Sequence, residues 1–537
     1  MAQPRRRRQR FPSRQYDLQL AQGVAPQTDI KPGRVYQLIL GRDPQAQVIE
    51  PADGRTKLFD PFAQLILFSG ADPPTTLRSL LAALDKLNAD PRALPDQRSF
   101  VVADGGQIPW TPATDDLQRS FRFAVTRQAT GATEPDLLIS ASTHLDDAEA
   151  FLQVIGWDPQ AGAFQFYDRR DGAWFWAGSS WDALEPDSRG QGPFDSHVNG
   201  ALNMKELKNP WVHWNSMAAS IRDDALAHDD PLRHEALWTQ RSGAQDFETD
   251  MARAGISRWT AARFARLTVN GQLTRMSDFM RQVLETSTIN LASSLLSNAR
   301  LPTAATVDLP VTFFFNADAF DVLGLDIDID PPSVPGPIYR AALAHFAVAL
   351  VNKRHRFVGD TQFLFVVPEP AYEDVLVLQA LLKQKALSRR IAAALLMVDF
   401  SNPVFSARRA TLLQYIPDVV DLAHPETFEK EFLDRVSQSP AAHAAGSPEH
   451  QVLTNMQLDE HQWEQQCSTR IRTFYKAATA HLTDEQGFQQ VFELADSRRR
   501  EFRKRPLAEF DLTMPVTNIS PNAALLEFAV DGSIRSK

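Results

Sequence analysis

The most regular pattern of apolar and polar positions lies between residues 151 and 177. Three apolar segments there are Phe151–Trp157, Ala163–Tyr167 and Ala173–Ala177, and the linkers Asp158–Gly162 and Asp171–Gly172 are made largely of turn-forming residues. Short apolar segments separated by Asp, Pro and Gly are typical of strands joined by tight turns. The pattern therefore predicts a three-stranded antiparallel meander.

Large rings occupy alternate positions in the second and third strands of this predicted meander. Phe164 and Phe166 share one face of the middle strand, and Trp174 and Trp176 share one face of the last strand, because side chains alternate along a strand. We expect these rings to form one strongly aromatic side. Such a side has to be covered, either by the rest of the protein or by a ligand.

Elsewhere the periodicity predicts both helices and strands. Leucines at helical spacing predict an amphipathic helix over Thr76–Asn88, and longer apolar stretches predict helices at Ile338–Lys353 and Val375–Leu396. Short apolar runs predict buried strands at Val35–Leu40, Ala63–Phe68 and Val311–Phe315.

These elements predict a mixed α and β fold. An N-terminal α+β lobe carries the antiparallel aromatic meander, a helical middle region follows, and a C-terminal α/β lobe comes next. A chain of 537 residues exceeds the length that one hydrophobic core usually serves. The expected divisions are a flexible basic arm (1–30), the α+β lobe (31–214), the helical region (215–300), the α/β lobe (301–436), a loop or linker (437–457), and a charged helical tail with candidate edge strands (458–537).

Composition narrows the classes of partner and of site. The chain is 43% hydrophobic and 23% charged, which is typical of soluble globular proteins. Its formal net charge of −10 disfavours nucleic acid as a partner. Cys467 is the single cysteine, which excludes disulfides within the chain, Cys-based zinc sites and iron–sulfur clusters. Any bound metal has to use His, Asp, Glu or backbone ligands.

The apolar pattern also bears on membranes and on export. No run of about 18 apolar residues occurs, so the sequence predicts no membrane-spanning helix. The basic residues Arg5–Arg8 are not followed by the apolar stretch that a secretory signal requires. We therefore expect a soluble, cytoplasmic protein.

Tryptophans and metal-competent side chains concentrate in one stretch. Six of the ten tryptophans lie between Trp157 and Trp214. A walled apolar pocket with a few convergent polar groups is the usual form of a small-molecule site. The side chains predicted to wall such a pocket are Trp174, Trp176, Trp211 and Trp214.

The same stretch supplies a candidate metal site. Two histidines and a carboxylate are the set that holds non-haem Fe(II), and zinc can use the same ligands. The predicted ligands, for iron or zinc, are Asp195, His197, Glu206 and His213. Their order and spacing match no named motif. The alternative interpretation is that His197 hydrogen-bonds to backbone in an irregular loop while His213 packs against neighbouring tryptophans.

A second candidate constellation is Asp224 with His228. The two residues are four apart on a predicted helix, so they would share one face. A histidine oriented by a carboxylate is a common general-base arrangement. We expect this pair to transfer protons beside the metal site, although an ordinary surface pair is the alternative.

These features predict a metal-dependent oxidoreductase that acts on a small aromatic or apolar organic substrate. Phosphate-binding, dinucleotide-binding, zincin and nucleophile-elbow motifs are absent from the sequence. Two alternatives stay open. One is a haem-binding enzyme with His345, on a predicted apolar helix, as axial ligand. The other is a non-enzymatic binding or scaffold protein that uses the aromatic face of residues 151–214.

Overall fold

A computed structural model of the protein describes residues 30–87, 95–104, 110–112, 120–202, 223–285, 289–292, 305–325, 327–352, 355–357, 367–503 and 515–537. The chain divides into two compact units. Within the described ranges, unit 1 contains residues 30–202 and 223–259, and unit 2 contains residues 260–503 and 515–537. Each unit holds helices and strands, so the predicted mixed α and β class is confirmed.

Unit 1 is built on one nine-stranded mixed sheet. Its strands are β1 (Val35–Gln37), β2 (Gln47–Val48), β3 (Asp96–Asp104), β4 (Ser120–Gln128), β5 (Leu137–Ser142), β6 (Leu152–Asp158), β7 (Ala163–Arg170), β8 (Ala173–Ser179) and β9 (Ser242–Gly243). Their order across the sheet is β2-β1-β8-β7-β6-β5-β4-β3-β9. The pairs β1–β8 and β3–β9 are parallel, and the other pairs are antiparallel. The predicted meander is therefore present as β6, β7 and β8, inside a larger sheet.

Helices and helical turns accompany this sheet. The helices are α1 (Pro51–Gly54), α2 (Pro61–Ala63), α3 (Leu77–Lys86), α4 (Ala236–Thr239), α5 (Ala244–Phe247) and α6 (Arg253–Leu267), the last of which begins in unit 1. Two π-helical turns, Gln64–Phe68 and Glu248–Ala252, continue α2 and α5. Short 3-10 turns are found at Asp182–Leu184, Gly192–Asp195, Val198–Gly200, Asp223–Ala225 and Pro231–His234.

The core of unit 1 lies between one face of the sheet and the segment from α2 to α3. Phe62 and Leu80 from this segment are fully buried with Phe123, Val154 and Trp174 from the strands. The predicted helix over Thr76–Asn88 is α3. It begins where the Thr76 side chain accepts a hydrogen bond from the Ser79 amide at 3.1 Å.

Ala63–Phe68 was predicted as a strand, and this prediction is wrong. The segment is helical, with Asp60 as N-cap and Pro61 at the first helical position. A short apolar run does not distinguish a buried strand from a buried helical turn. The Asp-Pro start signal in front of the run carried the information that decides between them.

Unit 2 is mainly helical. Its helices are α7 (Met276–Leu284), α8 (Ala317–Val322), α9 (Gly336–His345), α10 (Tyr372–Lys383), α11 (Arg389–Leu396), α12 (Ala407–Ala410), α13 (Pro425–Ser437), α14 (Pro448–Met456), α15 (Trp463–Ala480) and α16 (Glu485–Arg503). Short 3-10 turns lie at Val311–Phe313, Thr411–Tyr415, Pro440–His443 and His481–Thr483.

The strands of unit 2 form small antiparallel sheets. They are β10 (Thr268–Val269), β11 (Gln272–Leu273), β12 (Ile289–Ala292), β13 (Thr306–Asp308), β14 (Ser333–Pro335), β15 (Ala349–Asn352), β16 (His355–Phe357), β17 (Val367–Pro370), β18 (Val420–Asp421), β19 (Pro515–Val516), β20 (Leu526–Phe528) and β21 (Ile534–Ser536). The sheets are β10-β11-β18, β12-β17, β13-β14, β16-β15-β19 and β20-β21. The described strands of this unit pair antiparallel.

Several predicted boundaries in unit 2 are wrong. Val311–Phe315, expected as a strand, contains a 3-10 turn, and the helix expected over Ile338–Lys353 ends at His345 before β15. The helix expected over Val375–Leu396 is two helices, α10 and α11. Residues 437–457, expected as a loop or linker, contain α14 and a 3-10 turn.

No helix in the described part of the chain is long and apolar enough to span a membrane.

Candidate functional site

The two aromatic pairs of the meander lie on opposite faces of the sheet. In the β7–β8 pairing, Tyr167 lies opposite Trp176 and Phe166 lies opposite Gly178. Opposed residues in antiparallel strands project from the same face, so Trp176 shares its face with Tyr167 rather than with Phe166. The expectation of one strongly aromatic side is therefore wrong. Cross-strand register decides which faces combine, and the ring pattern within each strand does not specify it.

Trp174 belongs to the core on the face that α2 covers. Its ring lies edge-on to the ring of Phe62, with centroids 4.6 Å apart. Its indole Nε1 donates a hydrogen bond to the carbonyl oxygen of Pro74 at 2.8 Å. The side chain is fully buried, so the structure places Trp174 in the protein interior and not at the wall of an open pocket.

Asp195 and His197 lie on the other face of the sheet. Both side chains are buried, and Asp195 ends the turn Gly192–Asp195. The imidazole of His197 packs on Phe166 with ring centroids 5.3 Å apart, and its Nδ1 lies 3.0 Å from the carbonyl oxygen of Ala201. The sheet separates these two side chains from the two tryptophans of β8, so the structure does not bring the four together in one pocket.

The remaining residues of the predicted metal site and pocket are Glu206, Trp211, His213 and Trp214, and they lie outside the described residues. Among the residues that are described, no group of three or more His, Cys, Asp and Glu side chains is placed to hold a metal ion.

Asp224 and His228 do not share a helix. Asp224 lies in the 3-10 turn Asp223–Ala225, and His228 lies in a separate turn beyond it. Both residues are exposed. Residues four apart face each other only on a continuous helix, so the predicted alignment of this pair is wrong.

His345 is exposed at the end of α9. Its ring lies edge-on to that of Phe346, with centroids 4.7 Å apart. The haem hypothesis assumed a histidine within an apolar helix that continued to Lys353. The helix ends at His345 instead, which leaves this side chain at the surface of unit 2.

Trp176 differs from Trp174 because it lines a cleft. The cleft has a volume of about 100 Å³, and its walls come from the edge of the sheet and from the segment after β2. The lining residues are Gln37, Gln47, Val48, Ile49, Asp53, Gly54, Lys57, Leu58 and Trp176. One half-buried indole is thus surrounded by two amides, a carboxylate and an ammonium group.

The pairing of the sheet edge builds this cleft. Gln37 on β1 lies beside Trp176 in the parallel β1–β8 register, and Gln47 on β2 lies opposite Gln37 in the antiparallel β1–β2 register. The segment that starts with α1 then carries Asp53 and Lys57 to the same place. A Cβ at Gly54 would lie 2.8 Å from Leu67 Cδ1, so glycine permits the close packing of α1 there.

The indole of Trp176 is held in one orientation. Its Nε1 donates to Oε1 of Gln165 on the neighbouring strand at 2.9 Å. Gln37 is also held, because its Nε2 lies 3.1 Å from Oδ2 of Asp43. An aromatic wall and an amide that are already fixed lose little conformational freedom when a ligand binds.

Sequence reasoning found only one residue of this cleft, Trp176. The other lining residues come from positions 37–58, more than 115 residues earlier in the chain. A strand was predicted at Val35–Leu40, but nothing in the sequence indicated that it pairs with β8. The parallel pairing of β1 with β8 brings these residues to Trp176, and only the tertiary structure shows this pairing.

A buried carboxylate network lies near the cleft. Asp60 is fully buried, and its Oδ2 accepts a hydrogen bond from the Tyr167 hydroxyl at 2.6 Å. Its Oδ1 accepts from the amides of Phe62 and Ala63 at 2.9 and 3.0 Å. Burial raises the pKa of Asp60 to about 6, against the lowering effect of these hydrogen bonds, and nearby Asp158 adds to the rise.

This network has a structural role. A Cβ at Gly156 would lie 2.4 Å from Asp60 Oδ1, which shows how closely the carboxylate packs against β6. Asp158 in turn accepts hydrogen bonds from the Phe59 amide at 3.0 Å and from Gln165 Nε2 at 3.2 Å. The two carboxylates therefore fasten the start of α2 to the sheet.

Unit 2 contains a buried network of its own around Arg409. The guanidinium donates to the carbonyl oxygens of Leu284, Val398 and Pro403 at 3.2–3.3 Å. Burial lowers the pKa of Arg409, and the Asp399 carboxylate opposes that lowering. Because the guanidinium donates its hydrogen bonds to backbone carbonyl oxygens, Arg409 joins separate segments of unit 2 and has a structural role.

No protein-family model, no curated protein and no solved structure matches this chain. Any function has to follow from the geometry and chemistry of the sites described above.

Proposed function

We propose that unit 1 binds a small organic molecule in the cleft beside Trp176. The observation that carries this proposal is the combination of one half-buried, oriented indole with convergent amide and charged groups. Small-molecule sites usually combine an aromatic wall with a few placed polar groups. The proposed function is the binding of this molecule, and it requires no metal.

The surroundings of Trp176 support this role. Its aromatic neighbours on the same face, Trp174 and Tyr167, are buried and hydrogen-bonded within the unit, so they form a rigid support behind it. Val48, on the outer strand of the sheet, keeps 40% of its surface exposed. The cleft is therefore open to solvent at the sheet edge and rigid at its base.

The experiment is a thermal-shift and calorimetric screen of small polar molecules against the wild-type chain and the Trp176→Ala variant. Trp110→Ala is the matched control, because Trp110 is 38% exposed and does not line the cleft. We expect compounds that bind the wild type and the control but bind Trp176→Ala at least about tenfold more weakly, a difference of about 1.4 kcal/mol. Equal affinity for Trp176→Ala would rule out the cleft as the site.

A second candidate is the metal-dependent oxidoreductase, and the contact of His197 with the Ala201 carbonyl oxygen is compatible with it, although the interpretation without a metal predicts the same contact. If Nδ1 donates to the Ala201 carbonyl oxygen, the lone pair of the imidazole is on Nε2. Metal-ligating histidines commonly use this arrangement. His197 and Asp195, together with Glu206 and His213, would then hold iron or zinc, and the ion would activate O₂ or substrate at its open positions.

Elemental analysis of the purified chain tests this second candidate. We expect iron or zinc near one equivalent in the wild type and a large loss in His197→Gln, which keeps a side chain able to bond the backbone. The melting temperature of the variant controls for folding. Unchanged metal content in a folded His197→Gln protein would remove the candidate.

A further inference from the structure

The charged residues of the Trp176 cleft carry opposite signs and come from α1 and the turn that follows it. Asp53 lies in α1, and Lys57 lies three residues after the end of this helix, where its amide donates a hydrogen bond to the Gly54 carbonyl oxygen at 3.0 Å. On a continuous helix, an acidic residue four positions before a lysine commonly forms an ion pair with it. In the described part of the chain, however, neither side chain forms an ion pair.

Both charges instead line the opening that Trp176 also lines. A cleft with one carboxylate and one ammonium group on its wall is complementary to a ligand that carries one ammonium group and one carboxylate. The face of an indole also attracts ammonium groups through its ring electrons. The amides of Gln37 and Gln47 can donate to a carboxylate or accept from an ammonium group, so they suit the same ligand.

The volume of the cleft limits the size of that ligand. An engineered cavity of about 150 Å³ holds benzene, with its six carbon atoms. On the same scale a cleft of about 100 Å³ encloses about four non-hydrogen atoms, and because the cleft is open to solvent, a molecule of about five or six such atoms binds with part of it exposed. A short apolar part of such a molecule can rest against the ring of Trp176.

We infer that the Trp176 cleft binds a small zwitterion, an amino acid of the size of alanine or glycine. Its ammonium group lies toward Asp53 and its carboxylate toward Lys57. This inference rests on the proposed binding function and names the class of its ligand. The exposed position of both charges makes the binding weak and sensitive to salt.

Three probes of nearly equal size test the inference by calorimetry or saturation-transfer NMR. Alanine carries both charges, alaninamide carries the ammonium group alone, and lactate carries the carboxylate alone. We expect alanine to bind the wild-type chain about two- to fivefold more tightly than either of the other two, because each probe lacks one contact with an exposed charge. Raising the ionic strength from 0.05 to about 0.5 M should weaken alanine binding several-fold.

Substitutions that remove one charge from the cleft test which group of the ligand each residue contacts. Asp53→Asn should remove the advantage of alanine over lactate, and Lys57→Met should remove its advantage over alaninamide. Asp72→Asn and Lys86→Met, at exposed positions that do not line the cleft, are the matched controls and should keep both advantages. All four substitutions are on the surface, so they leave the fold intact.

The outcomes separate this inference from the proposed function. Binding that depends on Trp176 but is equal for the three probes, or unaffected by Asp53→Asn and Lys57→Met, overturns the zwitterion and leaves the binding function standing. If alanine does not bind, and no other small molecule binds in a Trp176-dependent way, both are overturned. A preference for alanine that disappears in the two cleft variants and persists in the controls supports the inference.

Discussion

One face of the nine-stranded sheet in unit 1 has a covered region and an open region, and similar side chains have different environments in the two. Trp174 and Trp176 lie two residues apart on the same face of β8. The first is fully buried against Phe62, and the second lines an open cleft. Both residues lie beside β1, Trp174 opposite Val35 and Trp176 opposite Gln37. The difference arises because the segment around α2 covers Trp174, whereas Trp176 lies in the cleft between β1, β2 and the segment that starts with α1.

The same contrast applies to the charged groups. In the interior, Asp60 has every carboxylate oxygen hydrogen-bonded and its pKa is raised by burial. At the edge, Asp53 and Lys57 are exposed and form no ion pair in the described part of the chain. Interior polar groups are thus committed to holding the fold, and edge groups stay accessible to a ligand. Four predictions test this division.

The largest effect is expected for Trp174→Ala. Removing a fully buried indole should lower the free energy of unfolding by about 3–5 kcal/mol, because it leaves a cavity in the core. Trp176→Ala should cost less than half as much, because this ring is only partly buried. Urea unfolding followed by circular dichroism measures both. Equal losses would show that the two positions are not different environments.

Gly156→Ala probes the close packing between β6 and Asp60. The added Cβ would lie 2.4 Å from the carboxylate oxygen, so either the strand or the start of α2 has to shift. We expect a loss of about 1–3 kcal/mol in the free energy of unfolding. Gly131→Ala is a useful comparison, because that turn glycine has no atom within 4 Å of the added carbon and tests only the strain of a positive φ. A loss no larger at Gly156 than at Gly131 would contradict the packing argument.

Asp60 should make the stability of unit 1 depend on pH. Its pKa is about 6 in the folded protein and near 3.8 in the unfolded chain, so the folded state binds the proton more tightly. The resulting stabilisation is complete below pH 3.8 and is lost as the pH rises through 6. Between pH 5 and 7.5 the loss should be about 1.4 kcal/mol.

Asp60→Asn removes this titration. The difference in the free energy of unfolding between wild type and variant, measured at several pH values, isolates the contribution of Asp60 from those of other groups. A difference that stays constant from pH 5 to 7.5 would show that the carboxylate does not titrate in this range.

The smallest effect is expected for Lys57→Met. An exposed side chain without an ion pair should change the free energy of unfolding by no more than about 0.5 kcal/mol. Chemical denaturation at two salt concentrations checks this value. A loss of 2 kcal/mol would place Lys57 among the residues that hold the fold.

Part of the fold could be predicted from local pattern. The strands of the meander and helix α3 follow from apolar periodicity, turn residues and the Thr76 cap. The segments Ala63–Phe68 and Val311–Phe315 could not be assigned from their apolar residues alone, because short apolar runs suit a strand or a buried helical turn equally. Asp60 and Pro61 before the first of them did signal a helix start.

The candidate site was much harder to predict than the fold. Clustering along the sequence placed Trp174, Trp176, Asp195 and His197 together, and the structure divides them between two faces of a sheet. The partners of Trp176 in the cleft, such as Gln37 and Asp53, are distant in the chain and have no distinctive spacing. Proximity in sequence is a weak guide to proximity in a mixed sheet.

The sequence by itself determined the mixed α and β class, the meander and the absence of Cys-based metal sites, because these depend on composition and on local periodicity. The tertiary structure decided which aromatic side chains became core and which lined a cleft. That decision depends on the parallel pairing of β1 with β8 and on the register of β7 with β8. Both are set by contacts between residues far apart in the chain, which local pattern does not encode.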